Sequence, residues 1–220
     1  MQTITFISTI HKEIGKCNSD ELFKIIEVIA PEVVFLEADS QTYSNYEQYL
    51  LSTYGVYHRK LEIAAIQKYG HTTSFEYVTV CDVELSDAFH KKIKISCQNR
   101  DMQNLIENFK ALEAEYGFMF LNSQECVDLQ EEMRVLESII LNDDVLDKEV
   151  KANIEAYENS MIRNIYDYSK NNMFSSAIFM CGAAHRRSII EKIEKANIEE
   201  RLDLAWTVFG SWVFERSKVP

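Results

Sequence analysis

At 220 residues, 46% hydrophobic and 11% aromatic, the chain has ample apolar material for a core, and disorder and low complexity are excluded. Six glycines and two prolines make about 4% of the chain against a usual share of roughly 12%, which excludes an all-β design of many short, punctuated strands. A formal net charge of -12 and a pI of 4.9 set the surface against phosphate backbones and anionic lipid, so no nucleic-acid or membrane partner is expected.

The amino terminus, Met1-Gln2-Thr3-Ile4, has no Lys or Arg ahead of its apolar stretch and no small-residue cleavage site, and no apolar run approaches the ~18 residues of a membrane span. A cytoplasmic protein without a signal peptide is the expectation. Residues 3–8 are β-branched and aromatic and predict a buried strand running into His11. Asn18 or Ser19 can cap a helix, with Glu21 as in a capping box and Leu22, Ile25, Ile26 and Ile29 at helical spacing before Pro31. Val33-Val34-Phe35-Leu36-Glu37 then reads as a second buried strand. Strand, helix and strand within 37 residues predict a βαβ unit whose two strands are parallel neighbours.

Tyr43, Tyr46, Tyr49, Tyr54 and Tyr57 follow, where a lid or substrate wall would stand in such a topology. Leu61, Ala64, Ala65 and Lys68 predict a helix ending at Gly70, and residues 75–81 a third strand closing on Asp82, which is read as a helix start. From about 84 to 172 there is one glycine, Gly117, and no proline, and apolar residues keep spacings of three and four, which predicts a helical insertion. Residues 177–181 read as a fourth strand leading into Gly182-Ala183-Ala184-His185, with an amphipathic helix after it and a last strand within 204–214. The whole, 1–220, is expected to be a single α/β domain. Cys17, Cys81, Cys97, Cys126 and Cys181 are odd in number and widely spaced, which argues for free thiols rather than a disulfide framework or a cysteine zinc site.

Three predicted strands deliver His11, Glu37 and His185 at their carboxyl ends, where ligands bind in parallel α/β sheets. Two imidazoles and a carboxylate can ligate a divalent metal that acidifies bound water, or one imidazole can deprotonate water while the carboxylate orients it. Either route gives hydrolysis. His58, His71 and His90 lack such company and are read as surface residues. No Gly-rich phosphate loop, dinucleotide fingerprint, Gly-x-Ser-x-Gly or His-Glu-x-x-His is present.

Ser8-Thr9-Ile10-His11 followed by Val34-Phe35-Leu36-Glu37-Ala38-Asp39 resembles the opening of the TraB/PrgY, Tiki and erythromycin-esterase superfamily, which pairs a Gly-x-x-His segment with a strand ending in Glu. Gly182-Ala183-Ala184-His185 resembles the second Gly-x-x-His, and the helix from Glu158 to Asn164 resembles the family's Arg-acidic-x-x-Met segment, so the likeness runs over almost the whole chain. Ser8 stands where the family has glycine, and Tyr157 where it has arginine, with Arg163 nearby.

The resemblance implies a small mixed, largely parallel sheet flanked by helices, with a cleft at its edge. It implies either a metal-dependent peptidase, with His11, Glu37 and His185 as ligands of Mn, Co or Zn, or a metal-independent esterase with histidine as base. Glu158 would be a further ligand or would fix an imidazole tautomer, and Gly182 would lie against a small-molecule or peptide substrate. Arg186 and Arg187 follow the second motif at a predicted helix start, where a contact with an anionic group of the substrate is expected. The alternative is a non-catalytic binding or regulatory protein with a degenerate site, meeting a protein partner or a second copy through the helical insertion.

Overall fold

The computed structural model describes residues 1–39, 57–200 and 204–210. Tyr43, Tyr46, Tyr49 and Tyr54, and the 211–214 end of the expected last strand, lie outside the described residues.

Extended backbone follows the β-branched and aromatic runs: β1 is Gln2–Thr9, β2 Val33–Asp39, β3 Glu76–Cys81, β4 Ser176–Gly182 and β5 Leu204–Val208. They form one parallel sheet in the order β3-β2-β4-β1-β5. The helices are α1 (Ser19–Ile29), α2 (Leu61–Gly70), α3 (Asp87–Ser96), α4 (Arg100–Tyr116), α5 (Phe118–Leu121), α6 (Gln124–Leu141), α7 (Asp144–Asn171) and α8 (Arg186–Glu200), with a 3-10 turn over Ala183–His185. This is a small α/β fold.

In a chain so poor in glycine and proline, helices are cut apart by polar caps. The side chains of Asn18, Ser86, Asn99, Ser123 and Asp143 each accept backbone N–H bonds at the start of α1, α3, α4, α6 and α7. Asn18 bonds the N–H groups of Asp20 and Glu21, so the expected cap is there.

One topological expectation is overturned. β1 and β2 are not neighbours, because β4 is inserted between them, with Phe6 opposite Phe179 on one side and Phe35 opposite Phe179 on the other. The central position needs a strand apolar on both faces, and β4 buries Ala177, Phe179 and Cys181 on one face and Ile178 and Met180 on the other.

The sheet is covered on both sides. On one face Ile7, Val34, Leu36, Ile178 and Met180 pack with Leu22 and Ile26 of α1 and Leu61, Ile63, Ala65 and Ile66 of α2. On the other, Phe6, Phe35 and Phe179 pack with Met161, Ile165 and Tyr166 of α7 and Ile189 and Ile193 of α8. The insertion therefore ends in a helix that belongs to the main core. Its earlier helices, α3 to α6, include contacts among themselves, between α4 and α6 and between α3 and α7.

Two details fix the edge where β1 ends. The Asn122 side chain accepts from the Ser8 N–H (2.8 Å) and donates to the Ser8 carbonyl (3.0 Å), standing in for a strand neighbour where β5 no longer reaches. The loop after β1 is held to α4 by the Lys16 N–H on the Ala114 carbonyl (2.8 Å). That approach needs Gly15 at φ +53°, where a Cβ would lie 2.3 Å from the Ala114 carbonyl oxygen.

Candidate active site

In the parallel sheet, Thr9 pairs with Gly182 and Leu36 with Met180, so β1, β4 and β2 end side by side. His11 lies two residues beyond β1, His185 three beyond β4, and Glu37 within the last turnings of β2.

The alternation of β2 points Glu37 to the face that carries Val33 and Phe35, where α7 lies. Its Oε1 accepts from the Tyr157 hydroxyl (2.8 Å) and its Oε2 from the Gly182 N–H (2.6 Å). Nε2 of His185 stands 3.7 Å from Oε1 of Glu37, and its Nδ1 meets Oε1 of Glu158 at 2.7 Å. Glu158 in turn accepts from the Ser188 hydroxyl and has Lys192 Nζ at 3.7 Å. Glu158 is buried, at 4% side-chain exposure, and His185 and Glu37 are largely covered, at 13% and 10%.

The electrostatics follow from this packing. Burial alone would push His185 down, but the Glu158 bond and the charges of Glu37 and Glu158 outweigh it and raise its pKa. Burial alone would push the Glu37 carboxyl up, but His185, the Gly182 N–H, Cys181 and Tyr157 hold it below its usual value. Burial, and then the Glu37 charge, push the Tyr157 phenol well up, so it stays protonated and donates.

The second imidazole is built from the opposite layer. The first N–H of α2, at Leu61, donates to the His11 carbonyl (3.0 Å), which docks the helix start on the loop. Glu62, next along, then meets Nδ1 of His11 through Oε1 at 3.0 Å, and the Thr9 hydroxyl donates to the same oxygen at 3.0 Å. The Glu62 bond is the main cause of a raised pKa at His11, with burial opposing it and the Glu37 charge adding to it. Glu62 is 4% exposed and His11 54%, so this imidazole faces solvent while its carboxylate does not.

Four expected site residues are thus brought to one edge: Glu37, Glu158 and His185 in direct contact, and His11 within reach of the Glu37 charge. Gly182 belongs there too, since a Cβ on it would lie 3.3 Å from Oε2 of Glu37. Arg186 does not face a substrate. It is buried, and its guanidinium donates to the Ser8 hydroxyl (3.2 Å), the Asn122 side chain (2.7 Å), the Asn122 carbonyl (3.0 Å) and the Phe209 carbonyl (2.8 Å). Ser8 is buried, and its hydroxyl accepts from the Arg186 guanidinium. Arg187 is exposed and pairs with Glu191. Arg163 pairs with Asp82 at 2.5 Å, and Asp82 caps no helix, since α3 starts from Ser86.

Among the described residues no three His, Cys, Asp or Glu side chains are grouped to hold a metal ion. Both Glu37 oxygens and the Nδ1 atom of each imidazole are already bonded. In each ring the carboxylate on Nδ1 leaves Nε2 as the free nitrogen, the arrangement a metal-ligating histidine shares with a histidine that exchanges protons. The geometry is of two oriented imidazoles, each with a carboxylate behind Nδ1, a form that can ligate a cation or carry a proton at Nε2.

Sequence reading missed Glu62, Ser188 and the bonding role of Tyr157. The signal for Glu62 was a single charge inside Leu61-Glu62-Ile63-Ala64-Ala65-Ile66, a run apolar on every side of the helix. No family model, no curated protein and no solved structure matches this chain.

Proposed function

We propose that the protein is a hydrolase that activates water with histidine, of the ester- or peptide-cleaving kind implied by the resemblance to the TraB, Tiki and erythromycin-esterase superfamily. The observation that carries this reading is the paired arrangement: His11 backed by Glu62 and His185 backed by Glu158, with Glu37 beside the second. A water proton passes to Nε2 of His11 as the water oxygen forms its bond to the carbonyl carbon. His185, whose pKa the Glu158 bond and the charges of Glu37 and Glu158 raise against the effect of burial, in its protonated form returns a proton to the leaving oxygen or nitrogen as that bond breaks.

The test is a screen of activated esters and short peptides with the full chain, repeated in chelator and with His11→Ala and His185→Ala shown folded by circular dichroism. Hydrolysis that survives chelation and falls about 10²-fold or more in each variant is expected. Hydrolysis equal in wild type and variants, or none on any substrate, overturns the reading.

A second reading rests on a different observation. Between α4 and α6 lies a groove of about 390 Å³ with Leu105, Val135, Leu136 and Ile139 on its floor and Asp101 and Glu132 at its rim. Val135 and Ile139 are 53% and 68% exposed. An apolar groove with an acidic rim fits a basic amphipathic helix, and the net charge of -12 disfavours a second copy. Binding of a basic amphipathic peptide, lost in Ile139→Glu and with salt, supports a binding module. No binding, or self-association of the free chain, overturns it.

A further inference from the structure

We propose that Glu62 is a positioning residue that fixes His11 with its proton on Nδ1 and its Nε2 bare. This rests on the reading of His11 as the base, and it deepens that reading by saying what makes one ring of the pair reactive.

An ionised carboxylate can only accept a hydrogen bond, so the 3.0 Å contact requires an N–H at Nδ1 of His11. A neutral ring so held carries its lone pair on Nε2, whereas free neutral histidine favours the proton on Nε2. The carboxylate is itself held in place. Thr9, the last residue of β1, bonds the same oxygen, and the bond from the Leu61 N–H to the His11 carbonyl ties the start of α2 to the loop that carries the ring.

The other oxygen of Glu62 is buried and has no hydrogen-bond partner among the described residues. A buried carboxylate short of partners gains most from a cation placed against it. The ring next to it therefore becomes a better proton acceptor as it takes the proton from water, which is what an orienting carboxylate does for a catalytic imidazole.

His185 is the internal comparison. It too has a carboxylate behind Nδ1, that of Glu158, but its Nε2 faces Glu37 at 3.7 Å and it is 13% exposed against 54% for His11. One ring is enclosed between two carboxylates, and the other is open on its far side. The pair is unequal, and Glu62 serves the open member.

The experiment reads the ring nitrogens by long-range proton–nitrogen NMR on the nitrogen-labelled full chain at a pH where His11 is neutral, with signals assigned by His11→Gln. Wild type is expected to show Nδ1 protonated and Nε2 bare. Glu62→Ala is expected to move the His11 Nε2 signal from the bare to the protonated region while leaving the His185 signals in place. A mere loss of structure would move both rings. A wild-type His11 protonated on Nε2, or a Glu62→Ala protein whose His11 tautomer is unchanged, overturns the proposal. Should Glu62→Ala not fold, the wild-type tautomer alone decides, and Glu62→Asp, which keeps the carboxylate, is expected to retain it.

No substrate enters this measurement, so it separates the two claims. The expected tautomer in a protein that hydrolyses nothing would leave Glu62 orienting the ring and bring down the hydrolase reading. Hydrolysis in a protein with the opposite tautomer would do the reverse.

Discussion

Nε2 of His185 lies 3.7 Å from Oε1 of Glu37, a contact between the ends of β4 and β2 that joins residues 148 positions apart. It requires β4 to lie directly beside β2, and it leaves His185 between the largely covered Glu37 and the buried Glu158. Glu37→Gln keeps the shape of the side chain and removes its charge. The variant is expected to fold, to titrate His185 at a lower pH than wild type, and to lose hydrolysis by about 10²-fold. Histidine NMR titration and a rate assay check it. A His185 midpoint equal to wild type would show that the Glu37 charge does not act on the ring.

Glu113 on α4 is a buried carboxyl whose Oε1 has no partner among the described residues, and burial pushes its pKa up to about 7. A carboxyl raised in the folded state binds its proton more tightly there than in the unfolded chain. Its favourable contribution is complete below the unfolded value near 4.5 and is lost as pH rises through about 7. Glu113→Gln should therefore stabilise the protein at pH 8 by about 1–3 kcal/mol and change it little at pH 4. Denaturant melts at the two pH values, wild type against variant, make the comparison. An equal shift at both would assign the effect to packing.

Arg186 is a buried cation with no ion pair among the described residues, and burial lowers its pKa to about 10. It bonds only neutral oxygens from β1, Asn122 and the turn after β5, and its guanidinium lies 5.8 Å from the Phe6 ring centre. Arg186→Ala leaves these acceptors unsatisfied and is expected to destabilise the fold by about 3 kcal/mol. Arg186→Lys should recover only part of that, because a point ammonium cannot span three residues as the planar fork does. Thermal melts check both. A stable Arg186→Ala protein with selectively lost activity would return Arg186 to the substrate role.

Gly182 has φ -55°, which any residue can adopt, so alanine there is not excluded by backbone conformation. Its methyl would sit 3.3 Å from Oε2 of Glu37 and 3.7 Å from Cδ2 of His185. Gly182→Ala is therefore expected to melt within about 1 kcal/mol of wild type and to hydrolyse roughly tenfold more slowly as Glu37 shifts by tenths of an ångström. A fully active variant would mean that this spacing is not needed.

The strands and the strand-end positions of His11, Glu37 and His185 were legible because each depends on a local pattern, whereas Glu158, on α7, was reached only through the family resemblance. A short β-branched run reads as a strand, and its carboxyl end is where chemistry collects in a parallel sheet. The place of β4 was not legible, since a run apolar on both faces fits any interior position and its partners are chosen at long range. Glu62 escaped for a related reason. Its meaning depends on where the start of α2 docks, through Leu61 on the His11 carbonyl. Arg186 looked like an anion contact at a helix start, but its acceptors, Ser8 and Asn122, are 178 and 64 residues away.

The order of strands has a consequence for how the protein is made. β1 ends at Thr9, yet both its neighbours, β4 and β5, come from residues 176–208 and are synthesised long after it. At roughly 5–20 residues per second, the ribosome needs on the order of 10–35 seconds to supply them. During that time the apolar faces of Ile4, Phe6 and Ile7 and both hydrogen-bonding edges of the strand have no sheet to join. β2 and β3 are adjacent in both sequence and space and can pair early, so the sheet is completed by β4 entering a gap whose two sides were made long before it. Nascent chains stalled before residue 176 should therefore be protease-sensitive and chaperone-bound around β1, and should become resistant there only when β4 has emerged.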